Sequence, residues 1–196
     1  MKYLLFICLT LCTVLCAQGT ITDQTTQQSF PTEVSFDADG KHYDLQVTGV
    51  ATRKKLVFKI YSVAHYLQKG ISVPNKDKID AIFSDDNAKQ LTLKWVRDVG
   101  ADKIQDTFQE SFERVFPGKE YAKNKSSIDT FMGFFSKSAH DGDEFIFRWI
   151  PGGTIEVLIN GKVIGSVSNK DFAKGLWSIW LGKDSIVNRG DLLRGA

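Results

Sequence analysis

Histidines and cysteines carry the widest catalytic and metal-binding repertoire of any side chains, and this 196-residue sequence holds only three of each. A zinc site or a histidine base acting on a nucleophile needs its donors at short fixed spacings or in a recognisable motif. His42 stands at a strand start, His65 inside a long β-rich run, and His140 in the polar loop Ser138-Ala139-His140-Asp141-Gly142, all isolated from one another. Of the three, His65 beside Tyr66 is the one whose titration bears testing. The sequence contains no glycine-rich phosphate loop, no nucleophile elbow and no histidine pair at metal spacing. Neither a cofactor nor a metal is called for.

The cysteines, Cys8, Cys12 and Cys16, all fall in the first 17 residues. There Lys2 precedes an uncharged, mainly apolar run from Tyr3 to Ala17, followed by polar Gln18, Gly19 and Thr20. The run is shorter than the roughly 20 residues a membrane-spanning helix requires, so residues 1–17 read as a secretory signal peptide cut near Ala17. The expected address is secreted, most simply periplasmic, with no transmembrane segment in the mature protein. Cleavage removes every thiol, which excludes cysteine nucleophiles, thiolate metal sites and disulfides. Lys+Arg number 25 against 23 Asp+Glu, interspersed along the sequence, a pattern that points to neither nucleic acid nor an anionic membrane.

Residues 18–30 are polar and aperiodic and are expected to form a flexible arm; one domain follows, from residue 31 to 196. Val34 to Phe36, the turn Asp37-Ala38-Asp39-Gly40 and His42 to Val50 read as a hairpin. Leu56 to Leu67 is a long strand with apolar residues on both faces, hence central. Its even positions run through Ser62, Ala64 and Tyr66, and its odd ones through Tyr61, Val63 and His65. Asn75 to Phe83 suggests a short helix and Gln90 to Arg97 another strand. Ile104, Phe108, Phe112 and Val115 recur at helical spacing before Pro117, and a second helix from about Tyr121 to Ser136 carries Ile128, Phe131, Met132 and Phe135. Three strands follow, Glu144 to Ile150, Thr154 to Ile159 and Lys162 to Val167, with Asn160-Gly161 a strong hairpin signal between the last two. A last helix starts near Ser168 or Asn169 and presents Phe172, Leu176, Ile179 and Trp180. Strands flanking a helical middle define an α+β order.

The run from Gly49 to Leu67 resembles the signature strand of the chalcone isomerase-like superfamily, a Gly-x-x-x-Arg turn leading into a strand that ends Tyr-Leu. The resemblance continues in Trp95-Val96-Arg97-Asp98-Val99-Gly100-Ala101-Asp102-Lys103, in Gly152-Gly153, in Asn160 to Gly165 and from Asp171 to Gly182. It spans about residues 30 to 185 and is nearest the exported bacterial branch. It implies an open-faced β-sandwich, a large antiparallel sheet backed by helices with an apolar cleft between them.

Within that family, isomerases and fatty-acid-binding members share the arginine matched here by Arg53, placed on the turn. Where isomerases keep a catalytic threonine, this sequence has Tyr61, similar to the fatty-acid-binding members. Lys103 and Glu110 fall where isomerases place a tyrosine and an asparagine, and Ile179 where they place a threonine or serine. The resemblance therefore implies a binder of a fatty acid or similar lipophilic acid, with Arg53, Tyr61, Tyr66, Phe108, Phe112, Ile179 and Trp180 as ligand-binding residues and the protein assumed monomeric. A guanidinium and a phenol suit a carboxylate, and the aromatic side chains an acyl chain. The alternatives are an isomerase or lyase using Arg53 and Tyr61, and an envelope interaction protein with a filled cleft. Arg53 paired to a carboxylate such as Asp98, with no cavity above about 100 Å3, would mark the filled cleft, against the few hundred Å3 of a ligand pocket.

Overall fold

The computed structural model describes residues 19–71 and 78–195. The expected signal peptide and the start of the expected helix at Asn75 lie outside them. In sequence order the elements are β1 (Thr20–Thr22), β2 (Ser29–Pro31), β3 (Glu33–Ala38), β4 (Lys41–Lys55), β5 (Phe58–Gln68), α1 (Lys78–Phe83), β6 (Lys89–Trp95), α2 (Ala101–Val115), α3 (Lys119–Gly133), β7 (Glu144–Ile150), β8 (Thr154–Ile159), β9 (Lys162–Ser168), α4 (Lys170–Leu181) and α5 (Arg189–Leu192).

Strands β3 to β9 form one antiparallel sheet in sequence order, each strand pairing with the next. Helices α2, α3 and α4 cover one face. Between them and the sheet lies an aromatic core that includes Phe112, Phe131, Phe135, Phe147, Trp149 and Phe172, each 1% exposed or less. Phe131 alone meets Phe108, Phe112, Phe135, Phe147 and Phe172 at centroid separations of 5.0 to 5.8 Å. The opposite face carries a smaller core of Phe30, Phe36, Tyr43, Leu45, Ala64 and Tyr66. Central β5 is therefore buried on both sides, as its doubly apolar pattern requires. Helix α4 is capped by Asn169, whose side chain accepts from the N–H groups of Asp171 and Phe172.

The stretch expected to be a flexible arm is ordered. β1 pairs antiparallel with β2, and Asp23 between them accepts from Thr52 Oγ1 at 2.5 Å and Ser62 Oγ at 2.7 Å. Burial alone would push the Asp23 carboxyl up, but these bonds and the Thr25 N–H together hold it below the usual carboxylate range. Polar composition without periodicity concealed a segment fixed by a buried carboxylate and the buried ring of Phe30.

Thr48 is an extra residue in β4, opposite no partner, where the register shifts between Val47 and Gly49. Its hydroxyl lies 2.7 Å from His65 Nδ1 and donates to the Leu192 carbonyl at 2.7 Å. Trp177 Nε1 donates to His65 Nε2 at 3.3 Å. This set of partners assigns the ring proton to Nδ1 and leaves His65 a neutral structural link, not a base. Burial, helped by the charge of Lys89, pushes its pKa down to about 3. Gly49, the first residue of the Gly-x-x-x-Arg pattern, is required by close approach: a Cβ there would stand 2.0 Å from the Asp191 carbonyl oxygen of α5. The segment that follows α4 thereby packs on β4.

Gly49→Ala should displace α5 and expose 188–195 to limited proteolysis while leaving the aromatic core folded; a cleavage pattern like the wild type's would contradict the close approach. His65 binds no proton when folded until about pH 3, whereas the unfolded protein takes one up near pH 6.5. The stability His65 contributes is thus fully present above about pH 6.5 and is lost by about 1.4 kcal/mol per unit as the pH drops from there towards 3. Denaturant titrations between pH 7 and 5 should show this slope, and His65→Gln should remove most of it.

Candidate functional site

Arg53 is a strand residue, not a turn residue as the sequence suggested. β4 runs on to Lys55, and Arg53 sits directly opposite Tyr61 of β5. A run of three basic residues hides a strand end because its side chains favour solvent, yet Arg53 is half-buried. Just beyond this pair the register shifts again, with Lys54 opposite Lys59, so that Ile60 is the unpaired residue. The bulge allows Ile60 and Tyr61 to line the same cavity. Behind the pair, on the outer face, Thr52 opposes Ser62, the two residues that Asp23 binds.

The cavity has a volume of about 300 Å3 and lies between the β4–β6 end of the sheet and helices α2 and α4. Its apolar wall is Ile60, Leu93, Trp95, Ile104, Phe108, Ile179 and Trp180. Around the polar end stand Arg53, Lys55, Arg97 and Lys103, with Asp98 the sole carboxylate in the lining. Asp98 is already engaged, accepting the Asp141 N–H at 2.9 Å. Arg53 forms no ion pair among the described residues; its Nη1 donates to the Ile186 carbonyl at 2.7 Å, leaving further guanidinium donors. Ile186, beyond α4, closes this side and is tied back by its N–H to the Ile179 carbonyl at 3.0 Å.

Tyr61 is 6% exposed, and its hydroxyl accepts from Trp180 Nε1 at 3.0 Å. Burial pushes the phenol up to about 12, only partly offset by the Trp180 hydrogen bond and the charge of Arg53. At neutral pH it is a phenol whose proton is free to donate, not a phenolate. The arrangement offers a positive guanidinium and a neutral hydroxyl at one end of an apolar pocket, a donor set suited to a carboxylate.

Of the residues expected to bind ligand, Arg53, Tyr61, Phe108, Ile179 and Trp180 come together here. Tyr66 and Phe112 do not. Tyr66 is on the opposite face of β5, where its hydroxyl donates to the Pro31 carbonyl at 3.0 Å; five residues from Tyr61, it has the opposite parity. Phe112 is fully buried one turn beyond Phe108, packed on Phe116 and Phe172. Lys103 lines the cavity, but Glu110 is on the exposed face of α2. Thr107 and Ser111 line it instead, although each hydroxyl donates to the carbonyl four residues back, at 2.8 and 2.7 Å. Their helical spacing from Ile104 and Phe108 was legible in the sequence. Trp95 faces Tyr61 through the β5–β6 register, ring centroids 5.3 Å apart, which needs the pairing to be known. Ile186 had no signal at all.

A larger groove, about 610 Å3, runs between the β1–β2 segment and α5. Its walls include Thr22, Gln24, Thr25 and Gln46, half-buried or exposed hydrogen-bonding residues that do not select a lipophilic ligand. Among the described residues no group of three or more His, Cys, Asp or Glu could hold a metal ion, and no helix is long and apolar enough to cross a membrane.

No curated protein sequence matches this one. Among solved structures, a fatty-acid binding protein of Arabidopsis thaliana superposes with a TM-score of 0.73 at 19% identity, covering 89% of this chain and 96% of that one. At that identity the likeness concerns the fold, a curled antiparallel sheet with a helical layer. The sequence model described as chalcone isomerase-like matches residues 23–189. The chain belongs to the chalcone isomerase-like family.

Proposed function

We propose that this protein is a non-enzymatic binder of a fatty acid or similar lipophilic carboxylate, exported from the cytoplasm by its N-terminal segment. The observation that carries the reading is Arg53: a half-buried guanidinium with no acidic partner among the described residues, at the polar end of an apolar cavity. A guanidinium on the wall of an apolar cavity, with donors to spare and no carboxylate paired with it among the described residues, favours an arriving anion. The carboxylate accepts from Arg53 and from the Tyr61 hydroxyl, and the acyl chain lies along Leu93, Phe108, Ile179 and Trp180. The cavity, at about 300 Å3, is at the small end of the range for ligand pockets, which favours a short or bent acyl group over a bulky ring system. The Arabidopsis protein of the same fold binds fatty acid by its description, which supports this class of ligand.

An open cavity and an Arg53 not paired with Asp98 weigh against a filled cleft. Tyr61, raised to about 12, is protonated at neutral pH, so an isomerase or lyase could use it to donate a proton but not as its base.

Mass spectrometry of organic extracts from gently purified protein should find a co-purifying carboxylic acid. Arg53→Ala should lower affinity for a saturated fatty acid by roughly 10- to 100-fold, the loss of a charge-assisted hydrogen bond of about 1.5–3 kcal/mol. Tyr61→Phe should cost less in affinity, but it also leaves the buried Trp180 N–H unpaired and should lower stability by about 1–3 kcal/mol. An empty protein whose affinity is indifferent to Arg53→Ala rules the proposal out.

A further inference from the structure

Three hairpins of the large sheet close through two-residue turns, and two use the residues that turn geometry demands. Asp39-Gly40 has φ values of 51° and 71°, and Asn160-Gly161 has 50° and 76°. The third, between Lys55 and its partner Phe58, is Leu56-Val57. Leu56 has φ 55°, a region that bulky side chains rarely adopt. Leu56 is 90% exposed, Val57 86% and Phe58 53%. Neither the turn nor the core accounts for apolar residues here. Their placement opposes both backbone preference and solvation, so something else must be met at this tip.

The surroundings of the tip are basic. Arg53, Lys54, Lys55 and Lys59 flank it, and Arg97 lies over the Phe58 ring with 4.7 Å between the guanidinium carbon and the centroid. No acidic residue occurs between Asp44 and Asp77. The near-even charge of the whole sequence averages this cluster away, whereas the fold gathers it at one end of the sheet. Arg53, Lys55 and Arg97 also line the cavity, so the tip stands beside its mouth.

The geometry points to docking of the β4–β5 hairpin tip on an anionic lipid surface, with Leu56, Val57 and Phe58 inserted among the acyl chains and the basic side chains at the headgroups. Charge complementarity selects this occupant. Three side chains at a hairpin tip offer far less than the roughly 20–30 residues a side that a stable protein interface uses, while a lipid surface needs no matching pocket. Docking does not rest on the ligand reading; if both hold, the cavity opens towards the lipid.

Hydrogen exchange read at residues 54–60 of the full-length protein tests this independently of what the N-terminal segment does. Vesicles of equal phosphatidylglycerol and phosphatidylcholine should slow exchange at the tip, and vesicles of phosphatidylcholine alone should not. Leu56→Ser/Val57→Ser should abolish the slowing while keeping fatty-acid affinity, since neither residue lines the cavity. Lys54→Gln/Lys59→Gln should raise the lipid concentration for half-maximal slowing roughly thirty-fold. Absence of slowing, equal slowing with neutral vesicles, or slowing unchanged in the serine variant overturns docking. So does slowing that grows with protein concentration alone, which would assign the tip to a second copy. Docking with no fatty-acid affinity would leave the inference standing and remove only the ligand reading.

Discussion

The register between β4 and β5 is the constraint on which the site depends. Side chains alternate faces along a strand and directly opposed residues share one, so a slip of one residue would leave Arg53 and Tyr61 on opposite faces of the sheet. Several separate contacts oppose that slip. Asp23 holds Thr52 and Ser62, the adjacent cross-strand pair, from the outer face. The extra residue Thr48 joins His65 to the Leu192 carbonyl and so locks the register on the far side. Gly49 admits α5, and the segment leading to α5 supplies the Ile186 carbonyl that steadies Arg53. Two segments remote from each other in sequence thus act on the same two strands.

The two faces of the sheet divide the labour. The helix-facing side is filled by aromatic contacts over most of its area, and the cavity survives only at the β4–β6 end, where Arg53, Tyr61 and Lys103 replace apolar side chains. Burying a phenol and half-burying a guanidinium here costs stability that an apolar replacement would not. Tyr61 offsets part of it through Trp180, and Arg53 through a single backbone carbonyl. Both groups line the cavity with hydrogen-bonding capacity to spare.

Much of this was legible before the structure. The doubly apolar pattern of β5 announced a central strand, the spacing of Ile104 and Phe108 announced the helix face that forms the wall, and Asn160-Gly161 announced its hairpin. Parity along β5 already separated Tyr61 from Tyr66, so placing both in one site conflicted with the alternation itself. Other features were hidden for physical reasons. The β1–β2 segment has no hydrophobic period because a buried carboxylate and the single ring of Phe30, not a repeating apolar face, hold it. Arg53 read as a turn residue because a basic strand end resembles a solvated loop. Ile186 enters the site through a backbone carbonyl, which no side-chain pattern encodes. The cavity itself is a matter of unfilled volume, and periodicity reports which residues face inward, not whether they meet.

Whether Arg53 and Tyr61 receive a carboxylate is decided by a crystal structure of the protein grown with a saturated fatty acid. Density is expected in the cavity between β5 and α2, with the carboxylate within about 3 Å of the Arg53 guanidinium and the Tyr61 hydroxyl. A cavity that stays empty, or an acid bound elsewhere with Arg53 still bonded only to Ile186, would contradict that role.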